Sequence, residues 1–179
     1  MNDTNEPMIV AARAATSPSY DQLRQQYAEI CAFGVRSEQY ASRYASALED
    51  FDALCKLPCV QVVGIDPAKQ EMYIGTTRAI LRKTEFDPWR EIGEFIVTIG
   101  KTPSQFTCAN ITRNVDGNHH PHVNSSGFMC INNRMEILCL ITDGDVLEAF
   151  RIIWAGLNTT NNTPYSDSTK WPLHEETSK

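Results

Sequence analysis

Three of the four histidines in this 179-residue chain fall within residues 119–122, in the stretch HHPHVNSSGFMC that closes on Cys130. These residue types allow three kinds of chemistry. The first is zinc coordination, with His119, His120 and His122 joined by Cys130 or Cys108. Adjacent loop histidines point in different directions, however, and Pro121 fixes the backbone between them. Helical metal motifs place ligands four residues apart on one face, and this stretch does not. The second is nucleophilic chemistry at Cys130. The polar loop Asn124-Ser125-Ser126-Gly127 precedes it and Asn132-Asn133 follows, so the thiol is expected at a partly exposed, polar position where cysteines react. No acidic residue inside the stretch is placed to orient a histidine, so a protease-like pair is not required. The third reading is a buried thiol beside a tight turn, with no chemistry at all.

The elements that must hold this segment follow from periodicity. Ser17-Pro18-Ser19 begins an amphipathic helix marked by Tyr20, Leu23, Tyr27 and Ile30 and ended by Gly34. A second helix starts near Ser37, with Tyr40, Tyr44, Leu48, Phe51 and Leu54 or Cys55 on its apolar stripe and Pro58 beyond it; Glu49, Asp50 and Asp52 are expected to face water. Residues 60–66, 71–81, 94–99 and 105–113 are rich in β-branched and aromatic residues and divided by turn formers. Short connections make them an antiparallel meander. Residues 114–127 read as a loop. MEILCLI (135–141) reads as a buried strand or extended crossing segment, after which Thr142 or Asp143 caps a helix with the stripe Val146, Leu147, Phe150, Ile153, Trp154 and Leu157. Trp171-Pro172 is expected to anchor the polar tail onto the body. Segregated strands and helices make the fold class α+β.

Composition narrows the function. A formal net charge of −6 excludes a broadly basic surface for nucleic acid. No apolar run approaches the roughly 20 residues that span a bilayer, and no secretory leader is evident, so a cytoplasmic protein without a membrane role is expected. The Asn-x-Ser/Thr triplets at Asn110 and Asn124 then have no glycan to carry. The six cysteines are expected to be reduced. Cys55 and Cys59 read as small buried thiols rather than half a zinc site, Cys108 and Cys139 as core thiols, and Trp89 and Trp154 as packing residues. His119 is expected to be solvated. There is no Gly-rich phosphate loop, and no cofactor is called for.

One resemblance ties these parts together. His120-Pro121-His122-Val123, then Gly127, then Cys130, with ten positions from His120 to Cys130, resembles the active-site segment of ubiquitin-conjugating enzymes, where a His-Pro-Asn triplet precedes the thioester-forming cysteine. The helix at 37–55, the Leu57-Pro58 exit, Gly64-Ile65 in the first strand, Met72–Leu81 and Gly93-Glu94-Phe95 are similar to that family in order, over roughly residues 37–157.

The resemblance implies a UBC-like domain over 37–179, a four-stranded meander flanked by helices. An accessory helix at 18–36 and a flexible tail at 1–17 would precede it. It also implies a transferase in which Cys130 carries a ubiquitin-like protein received from an adenylating enzyme and passes it to an amine on a protein acceptor. His122, standing where the family has asparagine, would donate to the oxyanion. Asn124 and Asn132 are further candidate donors, and His120, Pro121 and Gly127 would support the loop. Three departures mark a divergent, prokaryotic-type member. His122 replaces asparagine; the Tyr-Pro-x-x-Pro-Pro segment shrinks to Gly100-Lys101-Thr102-Pro103-Ser104; and Ile131-Asn132-Asn133 replaces Leu-Asp, with no Trp-x-Pro after it. The alternatives are a UBC-like binding module that has lost transfer and a zinc protein using the histidines.

Overall fold

A computed structural model describes residues 18–101, 104–159 and 165–174; the expected tail at 1–17 lies outside them. The chain begins with α1 (Tyr20–Ala32), started by a capping box: the Ser19 hydroxyl accepts from the Gln22 amide at 3.2 Å, and the Gln22 side chain accepts from the Ser19 amide at 2.7 Å. Helix α2 (Ser37–Cys55) packs against it. Asp50 and Asp52, expected to face water, instead face partners. Arg24 grips Asp52 with two hydrogen bonds of 2.7 and 3.0 Å, and the Tyr20 hydroxyl donates to the same carboxylate. Asp50 lies 3.8 Å from Arg43. Because Tyr27, Ala28, Ile30 and Cys31 are buried in the core, α1 is an integral layer of the fold.

Strands β1 (Val60–Asp66), β2 (Glu71–Thr76), β5 (Phe95–Gly100) and β6 (Gln105–Asn110) form one antiparallel sheet in the order β1-β2-β5-β6. Alternation sends Met72, Ile74, Phe95, Val97, Ile99, Phe106 and Cys108 inward, all fully or almost fully buried. The sequence segment 71–81 does not continue as one strand. It breaks at Thr77-Arg78, and β3 (Ala79–Leu81) pairs instead with β4 (Arg90–Gly93) in a second, two-stranded sheet. Arg82 lays its guanidinium 4.6 Å over the Trp89 ring at the mouth of that hairpin.

The segment MEILCLI is helical, contrary to the extended reading. It forms most of α3 (Arg134–Asp143), which buries only Ile137 and Ile141 and ends at Gly144 in the left-handed region (φ 83°). Cys139 therefore points outward and is exposed rather than core, whereas Cys108 is buried as expected. Thr142 and Asp143 close α3, so neither caps the next helix. That role belongs to Asp145, whose carboxylate accepts from the Glu148 amide at the start of α4 (Val146–Leu157). Cys55 and Cys59 are half-buried, not fully enclosed. Two cations hold the carbonyl ends of helices: buried Lys101 donates to the carbonyls of Thr142 and Cys31, and Arg43 donates to that of Gly144.

After α4 the chain returns as a strap. The Trp171 indole is 1% exposed, the Trp171 carbonyl accepts from Arg90, the Pro172 carbonyl accepts from the Glu91 amide, and Leu173 bridges Arg90. Trp171→Ala should cost about 3–5 kcal/mol in urea unfolding, the usual loss for emptying a large aromatic site. It should also expose residues 165–174 to limited proteolysis. A loss below about 1 kcal/mol would show that the strap is not anchored there.

Candidate functional site

The last strand of the large sheet, β6, would leave unpaired amides along its outer edge, and the 118–130 loop satisfies those of Cys108 and Asn110. The Cys108 amide donates to the Gly127 carbonyl at 3.0 Å, and the Asn110 amide donates to His119 Nδ1 at 3.1 Å. Gly127 has φ 80°, and a Cβ there would come within 3.2–3.3 Å of Thr107 and the Cys108 carbonyl. Asn124 organises the turn before it: its side-chain oxygen accepts from the amides of Ser126 and Phe128 and from the Ser126 hydroxyl. That carbonyl is thus committed to shaping the loop.

Asn110 is the site residue that periodicity passed over. It is 4% exposed. Its side-chain nitrogen donates to the carbonyls of Ile92 and His119, and its oxygen accepts from the amides of Thr112 and Arg113. One amide thus stitches β4, the start of the loop and the turn after β6. The only signal in the sequence is an asparagine closing an alternating strand, which reads as a turn former. The burial of its side chain leaves no room for a glycan.

His119 is half-buried, not solvated, and burial holds its pKa below the ordinary histidine value. His120 is fully buried between the loop and α4. The His122 amide donates to its Nδ1 at 3.0 Å, which therefore carries no proton. The proton sits on Nε2 and is donated to the Leu157 carbonyl at the end of α4, 3.1 Å away. Desolvation, with a smaller contribution from His122, pushes the His120 pKa down to about 3. Pro121 is buried, and its carbonyl accepts from the Tyr165 and Ser166 amides of the strap. With these nitrogens occupied, neither His119 Nδ1 nor His120 is open to a metal. Among the described residues no group of three or more potential ligands is arranged to hold one.

The residues left to act are His122 and Cys130. The Cys130 amide donates to the His122 carbonyl at 2.8 Å, fixing the two segments side by side. Cys130 is half-exposed; His122 is 2% exposed, and burial lowers its pKa, favouring neutral imidazole. Both line a shallow pocket of about 280 Å³ whose floor is apolar (Met129, Ile131, Ile152) and whose rim carries Asn132, Asn133 and Thr159. Gly156 of α4 makes this approach possible, since a Cβ there would collide with Met129 and come within 2.8 Å of Ile131. The Arg134 guanidinium braces the other side, 4.5 Å from the Phe106 ring and 4.1 Å from that of Phe128.

Compared with models of protein families, with curated proteins and with solved structures, the chain matches none. The expectations about this site therefore rest on its own geometry. The structure brings His120, Pro121, His122, Gly127 and Cys130 together. It places Asn132 exposed on the pocket rim and Asn124 in the turn behind it. In chemical terms the arrangement is an accessible thiol beside a neutral imidazole, over an apolar floor, with side-chain amides at the edge.

The neutral His120 has a measurable consequence. Its unfolded pKa is about 6.5, so between pH 6.5 and pH 3 the unfolded chain binds a proton that the folded one refuses. Stability from this group is complete above pH 6.5 and is lost as pH falls. The loss should be about 2 kcal/mol between pH 7 and pH 5. Wild type should fall more steeply than His120→Gln by that amount in urea titrations at the two pH values. Parallel curves would show that His120 titrates normally.

Proposed function

We propose that Cys130 carries the C-terminal acyl group of a ubiquitin-like protein as a thioester and transfers it to an amine acceptor, as a divergent member of the ubiquitin-conjugating enzymes. A UBC-like domain would then include the four-stranded meander and the helices around it. The carrying observation is Cys130 itself: a half-exposed thiol opening on a pocket, pinned through its amide to His122, ten positions after a buried His120. The element order agrees, with a helix, an antiparallel four-stranded sheet, a cysteine-bearing loop and then helices. Among the described residues no helix is long and apolar enough to cross a membrane. A cytoplasmic location, an adenylating enzyme as donor and a protein as acceptor belong to the same reading.

Chemically, the thiolate attacks an activated carboxyl, and the acyl carbon passes through a tetrahedral oxyanion on entry and again on exit. His122 lines the same pocket as Cys130, and on this reading its neutral imidazole would donate a hydrogen bond to that oxygen. Rigid support explains the rest of the loop: His120 and Pro121 are clamped by α4 and the strap, so the thiol is presented from a fixed backbone.

Protein isolated from its native host should show, on a non-reducing gel and by intact mass, a thiol-sensitive adduct of small-protein size. In Cys130→Ser it should be absent or replaced by a thiol-resistant ester. A folded wild type with no adduct would sink the reading in favour of a UBC-like module that binds without transfer. His122→Ala should slow transfer by about 10²–10³-fold, the usual loss for one oxyanion donor, in protein that remains folded. Undiminished transfer would remove His122 from that role.

A further inference from the structure

The two edges of the large sheet are treated differently. At β6 the 118–130 loop supplies acceptors to the Cys108 and Asn110 amides, whereas β1 ends the strand order β1-β2-β5-β6 on the other side. The ladder fixes which groups β1 turns outward. The Lys101 amide donates to the Gln70 carbonyl, in line with Met72↔Ile99 and Ile74↔Val97, so Met72 and Ile74 bond to β5. Glu71, Tyr73 and Gly75 therefore bond to β1, through Asp66, Gly64 and Val62. The amides and carbonyls of Val63 and Ile65 point away from β2, and among the described residues no backbone hydrogen bond takes them up.

The usual guards of a sheet edge are missing from this strand. Its sequence VQVVGID holds no Lys, Arg or Pro, and its irregularity lies at the very start, between Val60 and Val62. Val62 is 58% exposed on the outer face, while Val63 and Ile65 pack against the core. Between these two stands Gly64. A Cβ there would meet only that of Tyr73, at 3.9 Å, so packing among the described residues does not call for glycine. A glycine inside a strand weakens it and commonly marks the approach of another backbone.

This outward set is complementary to itself. Laid antiparallel against a copy about a two-fold axis at Gly64, Val63 exchanges hydrogen bonds with Ile65 of the copy, and Ile65 with its Val63. Gly64 then faces Gly64. The apolar Val63 and Ile65 side chains meet on the core face, and Asp66, the only charge in β1, lies opposite Val62 instead of another carboxylate. We infer that β1 is the docking edge for a second copy of this chain, the two edges joining into one continuous sheet. Neighbouring strands lie about 4.8 Å apart, so the two β6 strands stand roughly 34 Å from each other and both Cys130 loops stay open at the far ends.

Analytical ultracentrifugation of the full chain from about 10 µM to about 1 mM should show the 20.1 kDa monomer giving way to a dimer, with a dissociation constant on the order of 100 µM for so small an interface. Val62→Glu sets a carboxylate against Asp66 of the copy on both sides of the axis. It should weaken the dimer about tenfold or more with its urea midpoint held, and Val62→Lys should weaken it less. In the wild type, deuterium exchange at the Val63 and Ile65 amides should slow as concentration rises. A mass that stays monomeric throughout would overturn the inference, as would a dimer indifferent to Val62→Glu. Exchange at those two amides that does not change with concentration would place the contact elsewhere or show the edge covered within one chain, and would overturn it as well.

Discussion

The fold around Cys130 depends on one buried imidazole. His120 can be enclosed only if both ring nitrogens are satisfied, and the sole arrangement that does so is a neutral ring between the His122 amide and the Leu157 carbonyl. That requirement sets the distance between the loop and the C-terminal end of α4. It also turns the peptide that follows, so that the His122 carbonyl receives the Cys130 amide. Histidine here acts as a spacer with two fixed bonds, and its charge chemistry is suppressed by the burial that makes it useful.

Around it the polar groups of an irregular segment are matched one by one. Loops normally run over a surface because their backbone cannot be satisfied inside. This one lies along the β6 edge, with Gly127 and His119 supplying the acceptors that a fifth strand would have supplied. Asn110 replaces a further stretch of ladder with four side-chain hydrogen bonds. The result is a loop as constrained as a strand, ending in a thiol that is not buried. Flexibility in the free loop would have to be frozen on binding a reactant; here that ordering is already part of folding.

Regular elements and the crowded segment were legible in the sequence to different depths. α1, α2 and the four long strands follow from apolar spacing and turn residues, and Ser19 and Gly34 punctuate α1 as read. The run 135–141 misled because an apolar stretch that short carries no period that separates helix from strand. Its helicity is set by tertiary contact, with Ile137 and Ile141 inward and Cys139 on the opposite side. The break at Thr77-Arg78 and the caging of Asp52 by Arg24 and Tyr20 depend on partners far away in the chain, which no local pattern encodes. Within the segment, types and spacing identified which residues gather. They did not tell His119 as an acceptor from His120 as a spacer and His122 as a pocket wall, because those roles are fixed by β6 and α4.

Division of labour among the three histidines also bears on how the cysteine is presented: His119 and His120 hold the loop, and His122 shares the pocket with Cys130. Nearby positive charge favours a thiolate, and the described residues that line the pocket include no Lys or Arg. Arg134, the nearest cation in sequence, spends its face on Phe106 and Phe128. On the proposed carrier reading, the acyl group would sit beside an imidazole that burial favours as neutral. The acyl group must leave as readily as it arrives, and a leaving sulfur stabilised too strongly as thiolate would be a sluggish acceptor for the next one.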